Sequence, residues 1–82
     1  MSAACSRFGV APSDVLSPSR PSQVSKARWA IAYVLIERMG WSLPRIGRLL
    51  NKDHTAVLYG YRRAQELYRT DQSFYETVEA LL

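Results

Sequence analysis

Eighty-two residues carrying a net charge of +4 already exclude much. A chain of this length makes one domain and buries only about 60% of the surface it would expose unfolded, which leaves no room for a second domain. Apolar residues make up 48% of the chain, enough for a packed core and against wholesale disorder, and no apolar run reaches the roughly 18 residues of a membrane span. The single cysteine, Cys5, cannot close an internal disulfide, and the start of the sequence has no basic stretch followed by an apolar one. A cytoplasmic protein is expected.

The charge is unevenly placed. Between Arg20 and Arg63, nine lysines and arginines face only Glu37 and Asp53, a local balance of +7, whereas the flanks set Arg7 and Arg69 against five acids, a balance of −3. Such a concentration points to a polyanionic partner. Nucleic acid comes ahead of a membrane surface, because no basic amphipathic helix with an exposed apolar stripe is present. A merely solvated basic face is the plainer alternative.

Residues 1–17 read as short helices. Ala3 to Phe8 forms a helix end stopped by Gly9, and Ser13 caps a second segment through Val15 and Leu16. Residues 18–25 read as an extended basic loop, stiffened by Pro18 and Pro21 with Arg20 between them. Taken by itself, Arg20 is a solvated loop arginine.

The long core helix is placed at 26–40, with Ser22 or Ser25 able to open it. Ala27, Ile31, Val34, Leu35 and Arg38 recur at helical spacing up to Gly40. Trp29, Ala30, Tyr33 and Ile36 widen its apolar face, so this helix should be central and touched by several others, with its aromatics in the core.

Residues 42–63 carry a helix-turn-helix pattern. Ser42 caps a helix with Pro44 in its first turn, where a missing N–H costs nothing, and Leu43, Ile46, Leu49 and Leu50 share a face. A tight Asn51-Lys52 turn follows, and Asp53 caps a second helix. Val57, Tyr61 and Ala64 should point inward, leaving His54, Thr55, Tyr59, Arg62 and Arg63 outside. An exposed, polar, cation-flanked helix start suits a major groove. Asp71 then caps a last helix over 71–82, whose Phe74, Tyr75, Val78, Leu81 and Leu82 should cover the open side of the bundle.

Catalysis has little to work with. The one histidine sits beside a capping aspartate, the one cysteine is far away in sequence, and neither paired carboxylates nor a phosphate-cradling glycine loop occurs. One His and one Cys cannot supply a zinc set. No enzyme activity, cofactor or metal is expected.

The segment KDHTAVLYG closely resembles the DHTTVLHA signature of the C-terminal DNA-binding domain of the bacterial replication initiator DnaA. SLPRIGRLL is similar to that family's SLPEIGRAF, SKARWAIAYVL to its AR pair opening a long helix, and FGVAPSDVLSPSR to its preceding short helix and basic loop. The likeness covers essentially the whole chain. It implies that Arg20 matches a loop arginine entering the minor groove, and that Asp53, His54, Thr55 and Ala56 match the positions that read bases. The physics agrees: an arginine on a stiffened loop can seek the potential of a narrow minor groove, and Thr55 and Ala56 offer methyl groups to thymine. Asp53 has two readings, helix cap and acceptor from a cytosine amino group, and both are expected. Lys26, Arg28, Arg45, Arg48, Lys52, Arg62 and Arg63 are read as phosphate contacts, some of them simply solvated.

Four departures from the family pattern stand out. Ala56 replaces the signature's second Thr, the Gly-Gly-basic turn is shortened by one residue to Asn51-Lys52, Arg45 replaces an acid and leaves Ser42 without a capping-box partner, and Arg20 lacks basic neighbours.

The expected fold is all-α, a helix-turn-helix core in a bundle of five or six helices counting the short ones. The expected function is sequence-specific binding of double-stranded DNA at sites resembling the DnaA box, as a monomer in the nucleoid. The chain would act as a free-standing regulator or competitor, or as a separated initiator domain without the ATPase. The replication initiator or other replication proteins are the implied partners. The rival is a helical protein-interaction adaptor that keeps the scaffold and has lost DNA recognition. The basic middle argues against it.

Overall fold

A computed structural model of the chain describes Gly9 and residues 22–81, which fold into four α-helices. The readings of short helices over 1–17 and of a loop around Arg20 lie outside the described residues. Gly9 itself sits in a turn with φ +69°.

Helix α1 (Ser22–Met39) is the centre of the fold, packing against α2 (Leu43–Leu50), α3 (His54–Thr70) and α4 (Gln72–Ala80). It starts earlier than the 26–40 expected, so residues 22–25 are helical and not part of an extended loop. Val24 is the physical reason. It is 4% exposed, and the additional turn gives this apolar side chain a buried position. Two clusters meet on α1. Ala27, Ile31, Ala32 and Leu35 pack with Ile46 and Leu50 of α2 and Val57 of α3. Ala30 packs with Ala64 of α3 and with Phe74 and Val78 of α4. The aromatics Trp29 and Tyr33 border the second cluster and are half-buried, not fully inside as the apolar count implied.

Local chemistry sets the ends of these helices. Gly40 has φ +68°, which suits a residue without a Cβ, and the Gly40 and Trp41 N–H groups return to Ile36 O and Leu35 O at 3.3 and 3.0 Å. The Ser42 hydroxyl accepts from Arg45 N at 3.4 Å, with Pro44 in the first turn of α2. Asn51 closes α2 in the left-handed region at φ 56°, a conformation asparagine tolerates, and Lys52 N donates to Gly47 O at 2.9 Å. Asp71 caps α4 by accepting from Phe74 N at 3.1 Å.

Three facing assignments differ from expectation. Leu49 is 36% exposed, because in a two-turn helix Ile46 and Leu50 take the core side and Leu49 falls beyond its edge. On α3 the buried line is Val57, Gly60 and Ala64, and Tyr61 is half-buried at the rim. There the Tyr61 hydroxyl donates to Glu37 of α1, a bond that pushes the phenol up to about 12. On α4, Phe74 and Val78 are buried one turn apart and Tyr75 is 40% exposed.

At Gly60, α3 lies directly against the Trp29 side chain of α1. A Cβ there would lie 2.6 Å from Cδ1 of Trp29. Alanine gains about 1 kcal/mol of helix propensity over glycine, and the atoms its Cβ would meet belong to the half-buried Trp29 side chain and not to backbone. Gly60→Ala is therefore expected to change stability by less than about 1 kcal/mol while displacing Trp29. Near-ultraviolet circular dichroism and tryptophan emission in a Trp41→Phe background check this, and unchanged spectra would mean that the close approach is not what the geometry describes.

Candidate nucleic-acid interface

Helix α3 begins at a cap that leaves its first turn uncovered. The Asp53 carboxylate accepts from Thr55 N, and Asp53, His54, Thr55 and Ala56 are all exposed. The Thr55 N–H holds the Asp53 carboxyl below the usual carboxylate range, with the Ala56 N–H, the Thr55 hydroxyl and His54 acting in the same direction. Asp53 thus stays ionised at neutral pH. Its contribution to folding is present above the ordinary carboxylate range and is lost as pH falls through the lowered value of the folded state.

Two recesses flank this turn. A shallow cleft between α2 and α3 is lined by Pro44, Gly47, Arg48, Asn51, Lys52, Asp53 and His54. It brings two expected phosphate contacts, Arg48 and Lys52, beside two expected base readers. On the other side of Lys52 lies a cavity of about 110 Å³, whose walls include Ser25, Arg28 and Trp29 of α1 and Ala56, Tyr59 and Gly60 of α3. Cations and apolar surface therefore lie on both sides of the exposed turn. Such a surface can accept phosphate oxygens at its edges and base edges at its centre.

The chain matches the family described as bacterial dnaA protein helix-turn-helix over residues 1–64. It belongs to that family. The chromosomal replication initiator protein DnaA of Thermomicrobium roseum is 35% identical over 80 residues, 96% of this chain and 17% of the relative. Those of Ruegeria pomeroyi and Clavibacter sepedonicus are 35% and 36% identical over 75 residues, 90% of this chain and 16% of each relative. The chain thus spans only 16–17% of the length of these curated relatives.

The seven expected phosphate contacts of this DnaA-family chain are not one uniform patch. Arg48 and Arg62 are exposed. Arg45 is exposed too, and its guanidinium stacks 3.7 Å above the Trp41 ring. Arg63 pairs with Glu66 at 3.2 Å and lies 5.5 Å from the Trp29 ring centre. Lys26 is drawn to Asp71 at 3.8 Å, where α3 passes into α4. Arg28 is only 9% exposed and forms part of the cavity wall, so it meets the surface through that recess and not as a free arginine. Arg20 lies outside the described residues.

Sequence reasoning placed Tyr59 outside but gave it no role. It is 60% exposed and meets Trp29 edge-on, with ring centres 6.2 Å apart and planes at 76°. The available signal was spacing, since Tyr59 follows Thr55 by one helical turn.

Proposed function

We propose that this chain binds double-stranded DNA sequence-specifically, at sites resembling the DnaA box, with the first turn of α3 in the major groove. The observation that carries this reading is the exposed turn Asp53 to Ala56, capped and aimed by Asp53 and flanked by Arg48 and Lys52. Thr55 and Ala56 offer methyl groups to thymine, Asp53 accepts from a cytosine amino group, and His54 contacts a base or a phosphate. Arg45, Arg48, Lys52, Arg62 and Arg63 face phosphates, Arg28 does so through its recess, and Lys26 contributes once released from Asp71. Arg20 is assigned to the neighbouring minor groove.

One chain presents one helix-turn-helix, so a monomer on each site is the proposed state. The proposed role is that of a regulator or competitor at such sites, or of a DNA-binding unit serving the replication initiator and its partner proteins in the nucleoid.

Phosphate neutralisation gives the test. With about five cations engaged, log Kd should change with log salt concentration at a slope of magnitude near 4 to 5, weakening binding as salt rises. Affinity measured over a salt series, on duplexes first selected from a random pool, checks both parts of the reading. A flat salt response, as a protein-interaction adaptor would give, would sink DNA binding altogether. A steep response with no sequence enriched by selection would sink the specificity.

A further inference from the structure

We infer that Tyr59 is a further DNA contact, a clamp on one sugar-phosphate unit, and that Trp29 is the positioning residue that holds it. This rests on the DNA-binding reading above and adds residues outside the expected base readers and phosphate contacts.

Exposure is the first observation. At 60%, Tyr59 leaves a large aromatic ring in solvent where packing alone would favour covering it. Its register is the second. Tyr59 lies four residues after Thr55 and three after Ala56, so it stands one turn deeper along the side of α3 that presents the proposed readers. When the first turn of a helix occupies the groove floor, the next turn on that side comes against the backbone wall.

The third observation is that the ring is held. Trp29 meets it edge-on at 6.2 Å. Trp29 is itself seated against the backbone of Gly60, where a Cβ would lie 2.6 Å from its Cδ1, and has the Arg63 guanidinium 5.5 Å from its ring centre. Tyr59 also shares its cavity with Lys52 and Ala56, so its phenol stands at a basic wall next to the proposed reading turn. A phenol so placed donates O–H to a phosphate oxygen while its ring packs on the deoxyribose. Restricting the ring before binding lowers the ordering cost of that contact.

The full chain is bound to its selected duplex and to a set of the same duplex carrying one neutral methylphosphonate at each phosphate in turn. Tyr59→Phe is expected to weaken binding by about tenfold or more, the worth of one hydrogen bond to a charged group. At one phosphate position the methylphosphonate should abolish the difference between the wild-type and Tyr59→Phe proteins. Trp29→Ala should lose the contact to that same phosphate, and Trp29→Phe, which keeps a ring edge toward Tyr59, should restore it. Tyr59→Phe alters a solvent-facing hydroxyl and keeps the fold, so the measurement stands even where Trp29→Ala unfolds. Wild-type affinity of Tyr59→Phe at every phosphate position would overturn the inference while leaving DNA binding intact. Failure of the wild-type chain to bind any duplex would instead remove the functional reading beneath it.

Discussion

Gly47→Ala is expected to destabilise the fold by about 1 to 3 kcal/mol, the cost of forcing atoms into a well-packed site, even though alanine is the better helix former by about 1 kcal/mol. A Cβ at Gly47 would sit 2.5 Å from the Lys52 carbonyl oxygen, and the next nearest atoms, at 3.6 and 3.7 Å, are also backbone. Backbone cannot swing aside as a side chain can. The Gly47 carbonyl also holds Lys52 N at 2.9 Å, so the added methyl must either open the Asn51-Lys52 turn or break its closing bond. Either movement re-aims α3 relative to α2 and should weaken specific DNA binding together with stability. For a domain of this size, melting should fall by roughly 4–8 °C for each kcal/mol lost. Arg48→Ala, one residue on and exposed, should leave the melting temperature nearly unchanged. An unchanged or raised melting temperature for Gly47→Ala would show that the turn yields more easily than its geometry implies.

The same turn shows what sequence could reveal. Caps are local, decided by a side chain and an N–H two or three residues away, so Ser42, Asp53 and Asp71 could be read directly, and Gly40 and the Asn51-Lys52 turn marked where α1 and α2 end. The all-α class and the central α1 were legible for a similar reason, because helical spacing of apolar residues is written within each segment. What remained hidden was tertiary. Spacing gives a face but not its edges, so Leu49 and Tyr61 were placed inward when neighbouring helices leave one exposed and the other half-buried. Charge counts gave a basic middle but could not show that Lys26 meets Asp71, that Arg63 meets Glu66, or that Arg45 lies over Trp41. The near burial of Arg28 and the seating of Trp29 against Gly60 needed the packing of α1 on α3, which no window of sequence contains.

The proposed readers separate most sharply from the positive field around them through substitutions at Thr55 and Asp53. Thr55→Ala is expected to lower discrimination between the selected site and a scrambled one by about 1 to 3 kcal/mol, the worth of one good base contact, with little loss on the scrambled duplex. The residue is exposed, and its backbone N–H, which Asp53 uses, is retained by alanine. Asp53 needs a finer substitution, because removing its carboxylate removes the cap as well. Asp53→Asn keeps one side-chain oxygen able to accept from Thr55 N and replaces the other, together with the charge, by an NH2 donor. Near phosphates that charge is repulsive, so its loss should strengthen binding to scrambled DNA, while loss of the acceptor partnered with a cytosine amino group weakens the matched site. Opposite shifts on the two duplexes are therefore expected from Asp53→Asn, against a loss confined to the matched site from Thr55→Ala. Melting curves must match wild type for either result to be read as recognition. Equal changes on both duplexes, with the fold intact, would mean that Asp53 does no more than cap α3 and that Thr55 does not read a base.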